Sequence, residues 1–543
     1  MRYILAFLIL ITSCTPTKFT KRDIARTQKV VGVDFSKSDI STMYEYLQRN
    51  LDGYEEARTK HLDNDVSPAV YFNPMPAGFV LDTEQKTNSF QLNHQIKVPE
   101  NFNELAFYSV ADLSVLIRER KITSAQLTQL YLDRIKKYDG QLESVITVTE
   151  ELALQQAKKA DSEIAAGHYR GPLHGIPYGV KDLLTVEGYP TTWGAAPYKD
   201  QMLTGTATIV NRLEAAGAVL IAKLVSGTLA RGDVWFGGKT KNPWDLDQGA
   251  SGSSAGSGSA TAAGLVGFSI GTETLGSITS PSTRCGVTGL RPTFGRVSRS
   301  GVMTLSWSMD KAGPICRTAK DCALVFDVIH GSDPRDPSAV QAAFNYKAKI
   351  SNLKVAYFKK LFDEDTTSTR VNNIKALDVL EQMGVKLDSI ALPESPPYAT
   401  FDVILRSEAG AFFDELVLSG DHEKLTEQDE GSRANSLRQA RFIPAVEYLQ
   451  ANRHRKLLME EFHNIIKDYD VIVTPTFGGS QLLITNLTGQ PVISVPNGFD
   501  EDNHPTSISF LGNLFDEASI LAMAEAYQAA TDFDEQHPPL FKD

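Results

Sequence analysis

Three segments of this 543-residue chain contain residues of the types that acyl-transfer chemistry requires. Residues 249–259 form a Gly/Ser-rich loop, residues 271–278 read GTETLGSI, and the upstream segment GIPYGVKD contains Lys181. A seryl hydroxyl is a weak nucleophile unless a base lies within hydrogen-bond reach. We therefore take Lys181, Ser253 and Ser277 as the candidate catalytic residues, with a serine nucleophile that is activated without histidine.

Lysine is the candidate base because no histidine lies within the Gly/Ser segments. Burial disfavours the charged form of lysine and lets the neutral amine accept a proton. The apolar residues before Lys181 predict such burial, and a surface lysine in a Lys-Asp turn is the alternative. The letters GSSAG at 252–256 also match a nucleophile elbow with Ser254 as its serine, but residues 241–249 lack the apolar strand that an elbow needs. A Ser-His-Asp triad elsewhere stays open.

The elements that must position these residues alternate between strands and amphipathic helices, which predicts an α/β fold around a mixed sheet. Helices are expected to begin at the caps Ser109 and Ser124, and a further helix at Asp39 or Ser41. Residues 360–470 are expected to be a helix-rich insertion. The predicted strands are 145–149, 219–222, 355–358, 471–474 and 492–495.

The chain resembles the amidase signature family in an ordered series of motifs between about residues 105 and 530. The motifs are GIPYGVKD at 175–182, GSSAG at 252–256, GTETLGSI at 271–278, CGVTGLRPTFGRVS at 285–298, SMD at 308–310, GP at 313–314, TPT at 474–476 and NLTGQPVISVP at 486–496. The resemblance implies a single large α/β domain in which helices flank a central mixed β-sheet. It also implies amide hydrolysis through an acyl-enzyme.

The family uses a Ser–cis-Ser–Lys triad, and the matching motifs assign its members in this chain. Ser277 would be the nucleophile that forms the acyl-enzyme. Ser253, held by a cis peptide bond, would pass protons between Ser277 and Lys181, the ultimate base. Ser254 would support this network by hydrogen bonding.

The resemblance also implies an oxyanion hole formed by the backbone N–H groups of Thr274, Leu275, Gly276 and Ser277. The family commonly has Asp-x-Gly-Gly-Ser-Ile-Arg where this chain has ETLGSIT. Leu275 keeps its backbone donor, but its side chain is expected to narrow the pocket. Thr279 stands where arginine is frequent, which predicts the loss of one structural ion pair.

These motifs predict a hydrolase of linear carboxamides, acting on C–N bonds other than peptide bonds, with a small-molecule amide as substrate. Trp193 and Trp307 are expected to line the substrate pocket, with Tyr189 and Phe236 as further candidates. No cofactor and no metal is expected. The alternatives are an A-subunit-like protein of a tRNA-dependent amidotransferase and a catalytically inactive binding protein on the same fold, which the altered turn at Leu275 suggests.

The composition is that of an ordinary globular protein, with 42% hydrophobic and 22% charged residues. The net charge of −12 and the lack of a basic cluster argue against a nucleic-acid partner. Cys285, Cys316 and Cys322 show no paired metal-binding spacing, and Cys322 is expected to be a buried residue of a helix. The resemblance leaves a homodimer open, because relatives in the family dimerise.

The N-terminus has the features of a bacterial export signal. Arg2 precedes the apolar run ILAFLILI, which is too short to span a bilayer, since about 20 residues are needed. The following ITSC resembles a lipobox, so residues 1–13 are expected to be a signal peptide and Cys14 the lipidated residue. Residues 14–105 would form a tether and a helical and extended arm, and residues 106–535 the main domain. The expected location is the periplasmic side of the outer membrane, with a lipid anchor as the only membrane contact.

Overall fold

The computed structural model describes residues 18–63, 66–394 and 396–542. The expected signal peptide at 1–13 and the expected lipidation site at Cys14 lie outside the described residues. None of the described helices is long and apolar enough to cross a membrane.

A mixed sheet of eleven strands runs through the described structure, and two short hairpins accompany it. The fifteen described strands are β1 (Val145–Val148), β2 (Pro177–Lys181), β3 (Val219–Leu224), β4 (Val234–Trp235), β5 (Gly238–Lys239), β6 (Lys241–Asn242), β7 (Asp245–Gly249), β8 (Phe268–Glu273), β9 (Thr288–Arg291), β10 (Lys311–Cys316), β11 (Val355–Phe358), β12 (Leu387–Ile390), β13 (Val471–Pro475), β14 (Val492–Phe499) and β15 (Pro505–Gly512). The order in the large sheet is β1-β3-β2-β8-β10-β9-β14-β15-β13-β11-β12.

The centre of this sheet positions the candidate residues. β2 pairs in parallel with β3 on one side and with β8 on the other, and β8 pairs antiparallel with β10. All four strands are buried along their full length. Because Lys181 ends β2 and residues 274–277 follow β8, the two neighbouring strands bring these segments to one edge of the sheet.

Helices flank the sheet, as expected for a mixed α/β domain. The described helices are α1 (Lys21–Val30), α2 (Lys37–Arg58), α3 (Val110–Arg118), α4 (Ser124–Leu142), α5 (Glu150–Ala165), α6 (Thr208–Ala215), α7 (Ala255–Ala262), α8 (Thr279–Cys285), α9 (Ala319–Ile329), α10 (Lys359–Asp363), α11 (Arg370–Gln382), α12 (Asp402–Phe412), α13 (Asp414–Leu418), α14 (Arg433–Ala440), α15 (Ala445–Ile466), α16 (Gln481–Thr488) and α17 (Glu517–Ala529). Cys322 is buried in α9, as the sequence predicts.

Side-chain caps determine where the first helices of the main body begin. Ser109 caps α3 as expected, since its hydroxyl accepts a hydrogen bond from the Asp112 N–H at 3.0 Å. The expected cap at Ser124 is wrong by one residue. Thr123 is the cap of α4, because its hydroxyl accepts from the Gln126 N–H at 3.0 Å while the Gln126 side chain accepts from the Thr123 N–H.

The expected tether and helical region contains two helices. α1 lies within the polar stretch, and α2 begins after Ser36 rather than at Asp39 or Ser41. Ser36 is the cap because its hydroxyl accepts from the Asp39 N–H at 3.2 Å, and the Asp39 carboxylate accepts from the Ser36 N–H at 3.0 Å. α1 buries no residue and α2 buries only Ile40, so this helical pair packs little against the body.

Residues 68–100, here called the arm, contain no helix or strand and extend across the main body. Gln85 and Asn88 accept hydrogen bonds from the backbone N–H groups of Phe344 and Tyr346, both at 2.8 Å. Partly buried Phe90 packs against the core and stacks on Tyr346. These contacts show that the arm packs against the body.

The five predicted strands are present as β1, β3, β11, β13 and β14, and the bounds of β11 match the prediction. The pattern does not predict β2, β8, β9, β10, β12 or β15. β2 reads PYGVK and β8 reads FSIGTE, and their glycine and polar residues are not typical of strands. These segments form strands because they are buried on both faces. The insertion expected at 360–470 is helix-rich, with α11 to α15, and it also contains β12.

Candidate active site

Lys181 is fully buried at the end of β2 and surrounded by hydroxyl groups. Its Nζ lies 2.7 Å from Ser253 Oγ, 3.1 Å from Ser254 Oγ and 2.9 Å from Thr272 Oγ1. No carboxylate lies within ion-pair distance of Lys181 among the described residues. Burial therefore lowers the pKa of Lys181 well below its ordinary value, and the more distant charges of Asp310 and Glu273 only partly oppose this.

Ser253 and Ser254 lie between β7 and α7, beside Lys181. The Gly252–Ser253 peptide bond is cis. A Cβ on Gly252 would lie 1.8 Å from the carbonyl oxygen of Gly232, so only glycine fits at this position. Ser254 connects the loop to the neighbouring segments, because its N–H donates to the Ser277 carbonyl at 3.2 Å and its hydroxyl to the Thr272 carbonyl at 3.1 Å.

Ser277 lies in the turn between β8 and α8, on the wall of a cavity of about 420 Å³. Gly252, Thr274 and Leu275 line the same cavity, and Gly276 has a positive φ of 86° that gives the turn its shape. In the part of the chain that the structure describes, no oxygen accepts a hydrogen bond from the N–H groups of residues 274–277. The turn therefore offers free backbone donors beside the Ser277 hydroxyl.

The hydroxyls of Ser253 and Ser277 are not hydrogen-bonded to each other in this structure, although Ser253 is bonded to Lys181. Hydrogen bonds between catalytic groups are often long in ligand-free active sites and shorten when substrate binds. The arrangement thus contains a buried amine, a bridging hydroxyl and a hydroxyl at the cavity. It has the composition required for proton transfer away from Ser277.

Glu273 holds the turn from the protein interior. Its carboxylate accepts hydrogen bonds from the N–H groups of Ile278 and Thr279, both at 2.9 Å, and forms a buried ion pair with Arg291 at 2.8 Å. Burial alone would raise the pKa of Glu273, but Arg291 and the backbone donors lower it to about 2. The Thr279 hydroxyl, at the position where an ion pair is expected to be lost, donates to Glu273 at 3.0 Å, beside the ion pair of Glu273 with Arg291.

Asp310 holds the same turn through a side chain that the sequence does not single out. Its carboxylate accepts a hydrogen bond from the Thr274 hydroxyl and, at 2.7 and 2.9 Å, from the N–H groups of Leu305 and Ser306. Burial raises the pKa of Asp310, and the hydrogen bond from Thr274 opposes this. Asp310 belongs to the quoted SMD motif, and that motif is the signal that marks it. Thr272 also contacts Lys181. It belongs to the GTETLGSI motif, but nothing in the sequence distinguishes it from the other residues of that motif.

The aromatic residues expected in the substrate pocket lie elsewhere. Trp193 is buried among Tyr198, Phe412 and Phe413 and does not line the cavity beside Ser277. Trp307 lines a separate groove of about 890 Å³. The cavity beside Ser277 is lined instead by residues of the insertion, from α12, α14 and the loop before α14. Residue types alone do not reveal this, because the insertion reaches the site only through its packing.

One group of potential metal ligands occurs among the described residues, at Asp500, Asp502 and His504. Asp500 accepts hydrogen bonds from the backbone N–H groups of Asp502 and His504, at 3.0 and 2.9 Å, which form a turn. His504 also lies 3.1 Å from Asp245. These side chains line a different cavity from the one beside Ser277.

The chain is similar in sequence and in fold to known amidases and amidotransferase subunits. The family model described as Amidase matches residues 126–484. The A subunit of glutamyl-tRNA(Gln) amidotransferase from Thioalkalivibrio sulfidiphilus (strain HL-EbGR7) is 32% identical over 80% of this chain and 99% of that protein. Among solved structures, native peptide amidase from Stenotrophomonas maltophilia is 28% identical, with a TM-score of 0.70 over 79% of this chain and 98% of that chain. An amidase family protein from Bacillus anthracis str. Ames is 25% identical, with a TM-score of 0.71 over 80% of this chain and 92% of that chain.

Proposed function

This chain belongs to the amidase family, and on that basis we propose that it hydrolyses linear carboxamides to an acid and ammonia or an amine. The observation that carries the proposal is the buried Lys181 amine, 2.7 Å from the hydroxyl of Ser253, whose neighbour Gly252 lines the same cavity as Ser277. A neutral lysine joined to a serine hydroxyl is a proton acceptor suited to activating a second serine.

In the proposed reaction, the Ser277 hydroxyl attacks the amide carbon while Ser253 accepts its proton and passes its own proton to Lys181. The C–O bond forms as the carbonyl π bond breaks, and the resulting oxyanion accepts hydrogen bonds from the N–H groups of residues 274–277. The tetrahedral intermediate then loses the amine, which receives the proton back from Lys181 through Ser253. Water attacks the acyl-enzyme by the same proton route and releases the acid.

Part of a tRNA-dependent amidotransferase is the second candidate, because the curated relative, at 32% identity, belongs to such an enzyme. We propose that residues 1–13 direct export and that Cys14 is lipidated, which would attach the protein to the periplasmic side of the outer membrane. On this proposal the free hydrolase is favoured, because an exported protein does not meet aminoacyl-tRNA. Replacing Cys14 by serine should release the protein from the membrane fraction, and membrane retention of this variant would contradict the anchor.

The test of the reaction is labelling of the purified protein with a fluorophosphonate, mapped by mass spectrometry, combined with ammonia release from a panel of primary amides. We expect one adduct on Ser277, absent from Ser277→Ala and Lys181→Met, and amide hydrolysis by the wild type alone. A folded protein without adduct or ammonia release would contradict the hydrolase and support the inactive binding protein. Thr283→Ala, in α8 outside the cavity, is the control and should be labelled normally.

A further inference from the structure

The cavity beside Ser277 carries an excess of positive side chains. Three arginines line it, Arg231, Arg406 and Arg433, against two acids, Asp402 and Glu430. Arg406 is satisfied within the protein, because it forms an ion pair with Asp402 and a hydrogen bond with Gln439. Arg231 and Arg433 have no carboxylate within 4.0 Å in the described part of the chain, so their charge is not neutralised by an ion pair.

Arg433 is the more unusual of the two, because it is 5% exposed. Its Nε donates to the Leu229 carbonyl at 3.1 Å and its Nη2 to the Ala230 carbonyl at 3.3 Å. Its Nη1 has no acceptor among the described residues, although the side chain lines the cavity. Burial, with the nearby charge of Arg231, lowers the pKa of Arg433 to about 9, and the more distant carboxylates of Asp310 and Asp402 only partly oppose this. At that pKa the guanidinium is still charged at neutral pH.

A buried charge without a counter-ion is costly, so proteins pair such charges or use them to bind a ligand. Carbonyl oxygens satisfy two of the Arg433 donors but do not neutralise its charge. Glu430, the remaining acid of the cavity, is exposed and forms no ion pair with Arg231 or Arg433. The Arg433 guanidinium therefore has a free donor and a positive charge available to a ligand in the cavity.

We propose that the substrate is a small amide that also carries a carboxylate, which Arg433 binds together with Arg231 while the amide carbon lies at Ser277. The proposal rests on the amidase function proposed above and specifies its substrate class. Hydrogen bonds from a guanidinium to a carboxylate are charge-assisted, and the free Nη1 of Arg433 supplies N–H donors for such a bond. A cavity of about 420 Å³ fits a molecule such as the monoamide of a short dicarboxylic acid rather than a long chain.

Arg433 also has a structural role that the test must separate from binding. The carbonyls it contacts belong to Leu229 and Ala230, which both have positive φ angles, of 47° and 60°. The same loop continues to Gly232, which packs against Gly252. Loss of Arg433 can therefore disturb the loop. Arg231, in contrast, is exposed and its side chain makes no hydrogen bond with any described residue, so its removal tests the charge alone.

The experiment measures binding by calorimetry to the full chain carrying Ser277→Ala, with two probes of equal length. Glutaramate carries one amide and one carboxylate, and glutardiamide carries two amides. We expect glutaramate to bind about tenfold more tightly, the order of one charge-assisted hydrogen bond. The preference should fall several-fold with Arg231→Gln and disappear with Arg433→Gln, but persist with Arg438→Gln on the same helix. Arg438 is the control because it bonds to Gln428 and does not line the cavity.

Equal affinity for the two probes, or binding of neither, would overturn the proposal, as would a preference that survives the double variant of Arg231 and Arg433. These failures differ from failure of the amidase function, which is measured on the wild type as Ser277 labelling and ammonia release. If the enzyme is labelled and active but binds both probes equally, the amidase proposal stands and the carboxylate-bearing substrate is wrong. If the protein prefers glutaramate but is not labelled, the anion site stands and the amidase proposal is wrong.

Discussion

Lys181 shows how one buried side chain connects stability with chemistry. Burial holds its pKa well below 10.5, so the folded protein binds fewer protons than the unfolded chain between the two pKa values. Stability then rises with pH across this window, and at neutral pH the buried amine reduces it. We expect Lys181→Met to lack activity and yet to unfold at a higher urea concentration than the wild type at neutral pH. A less stable variant would show that the hydrogen bonds of Lys181 outweigh its desolvation.

The same shift predicts the pH dependence of the reaction. The mechanism needs Lys181 as a neutral amine, so kcat/KM should be constant above the folded-state pKa and should fall about tenfold per pH unit below it. The profile is measured as initial ammonia release, with circular dichroism at each pH to confirm that the protein is folded. A rate that does not decline before the fold is lost would contradict the role of Lys181 as the base.

Glu273 should hold the turn at Ser277 in place as well as stabilise the folded protein. Glu273→Gln leaves Arg291 buried without its partner and should lower the free energy of unfolding by about 3 kcal/mol, measured by urea titration. Because the carboxylate also holds the N–H groups of Ile278 and Thr279, kcat should fall more than KM changes.

The control for Glu273 is another buried pair, Arg296 with Glu517 at 3.0 Å. Glu517→Gln should cost a similar free energy of unfolding but leave kcat close to that of the wild type, because Glu517 does not contact the turn. Equal losses of kcat in the two variants would show that Glu273 acts through stability alone.

The loop between β7 and α7 depends on close backbone contact with the loop that follows β3. A Cβ at Gly252 would lie 1.8 Å from the Gly232 carbonyl oxygen, and backbone cannot move aside as a side chain does. Gly252→Ala should therefore displace Ser253 from Lys181 and lower kcat/KM by a factor on the order of 10² or more, as loss of a positioned proton carrier does.

The matched control for this glycine is Gly140 in α4, where an added Cβ meets nothing within 4 Å. Gly140→Ala should leave activity unchanged and raise the free energy of unfolding by about 0.5–1 kcal/mol, the usual effect of alanine in a helix. Retained activity in Gly252→Ala would show that the two loops are less tightly constrained than their contacts indicate.

The sequence predicts those parts of the molecule whose cause is local. The run VAYF, with one β-branched and two aromatic residues, marks β11 to the residue, and the ordered motifs mark Lys181, Ser253 and Ser277. Thr272, Arg433 and β2 escape prediction because their roles arise from distant packing: β2 is a strand because β3 and β8 cover its sides, and Arg433 reaches the cavity from an insertion far along the chain. The placement of Trp193 follows from the same cause, because its ring packs against the insertion rather than the cavity.

Three parts of the molecule contribute differently to its stability: the body, the arm, which packs on the body, and the pair of helices α1 and α2, which packs little against it. α1 buries no residue and α2 only Ile40, whereas the arm contributes Phe90, Leu92 and Ile96 to the core surface and places Phe72 against Arg455, 3.6 Å from the guanidinium carbon to the ring centre. Removal of residues 1–60 should change the free energy of unfolding by less than about 1 kcal/mol, as surface changes do.

Extending the deletion to residue 100 should lower the free energy of unfolding by more than about 3 kcal/mol, the cost of losing one well-packed aromatic side chain. Both truncations are measured by urea unfolding, with Ser277 labelling as a check on the site. Phe72 alone should account for part of the loss, because Arg455 is buried beneath it and also bonds to Ser308, in the segment that leads to Asp310. If the two truncated proteins had the same free energy of unfolding, the arm would cover the body without stabilising it. Its contact with Arg455 would then not support the turn that holds Ser277.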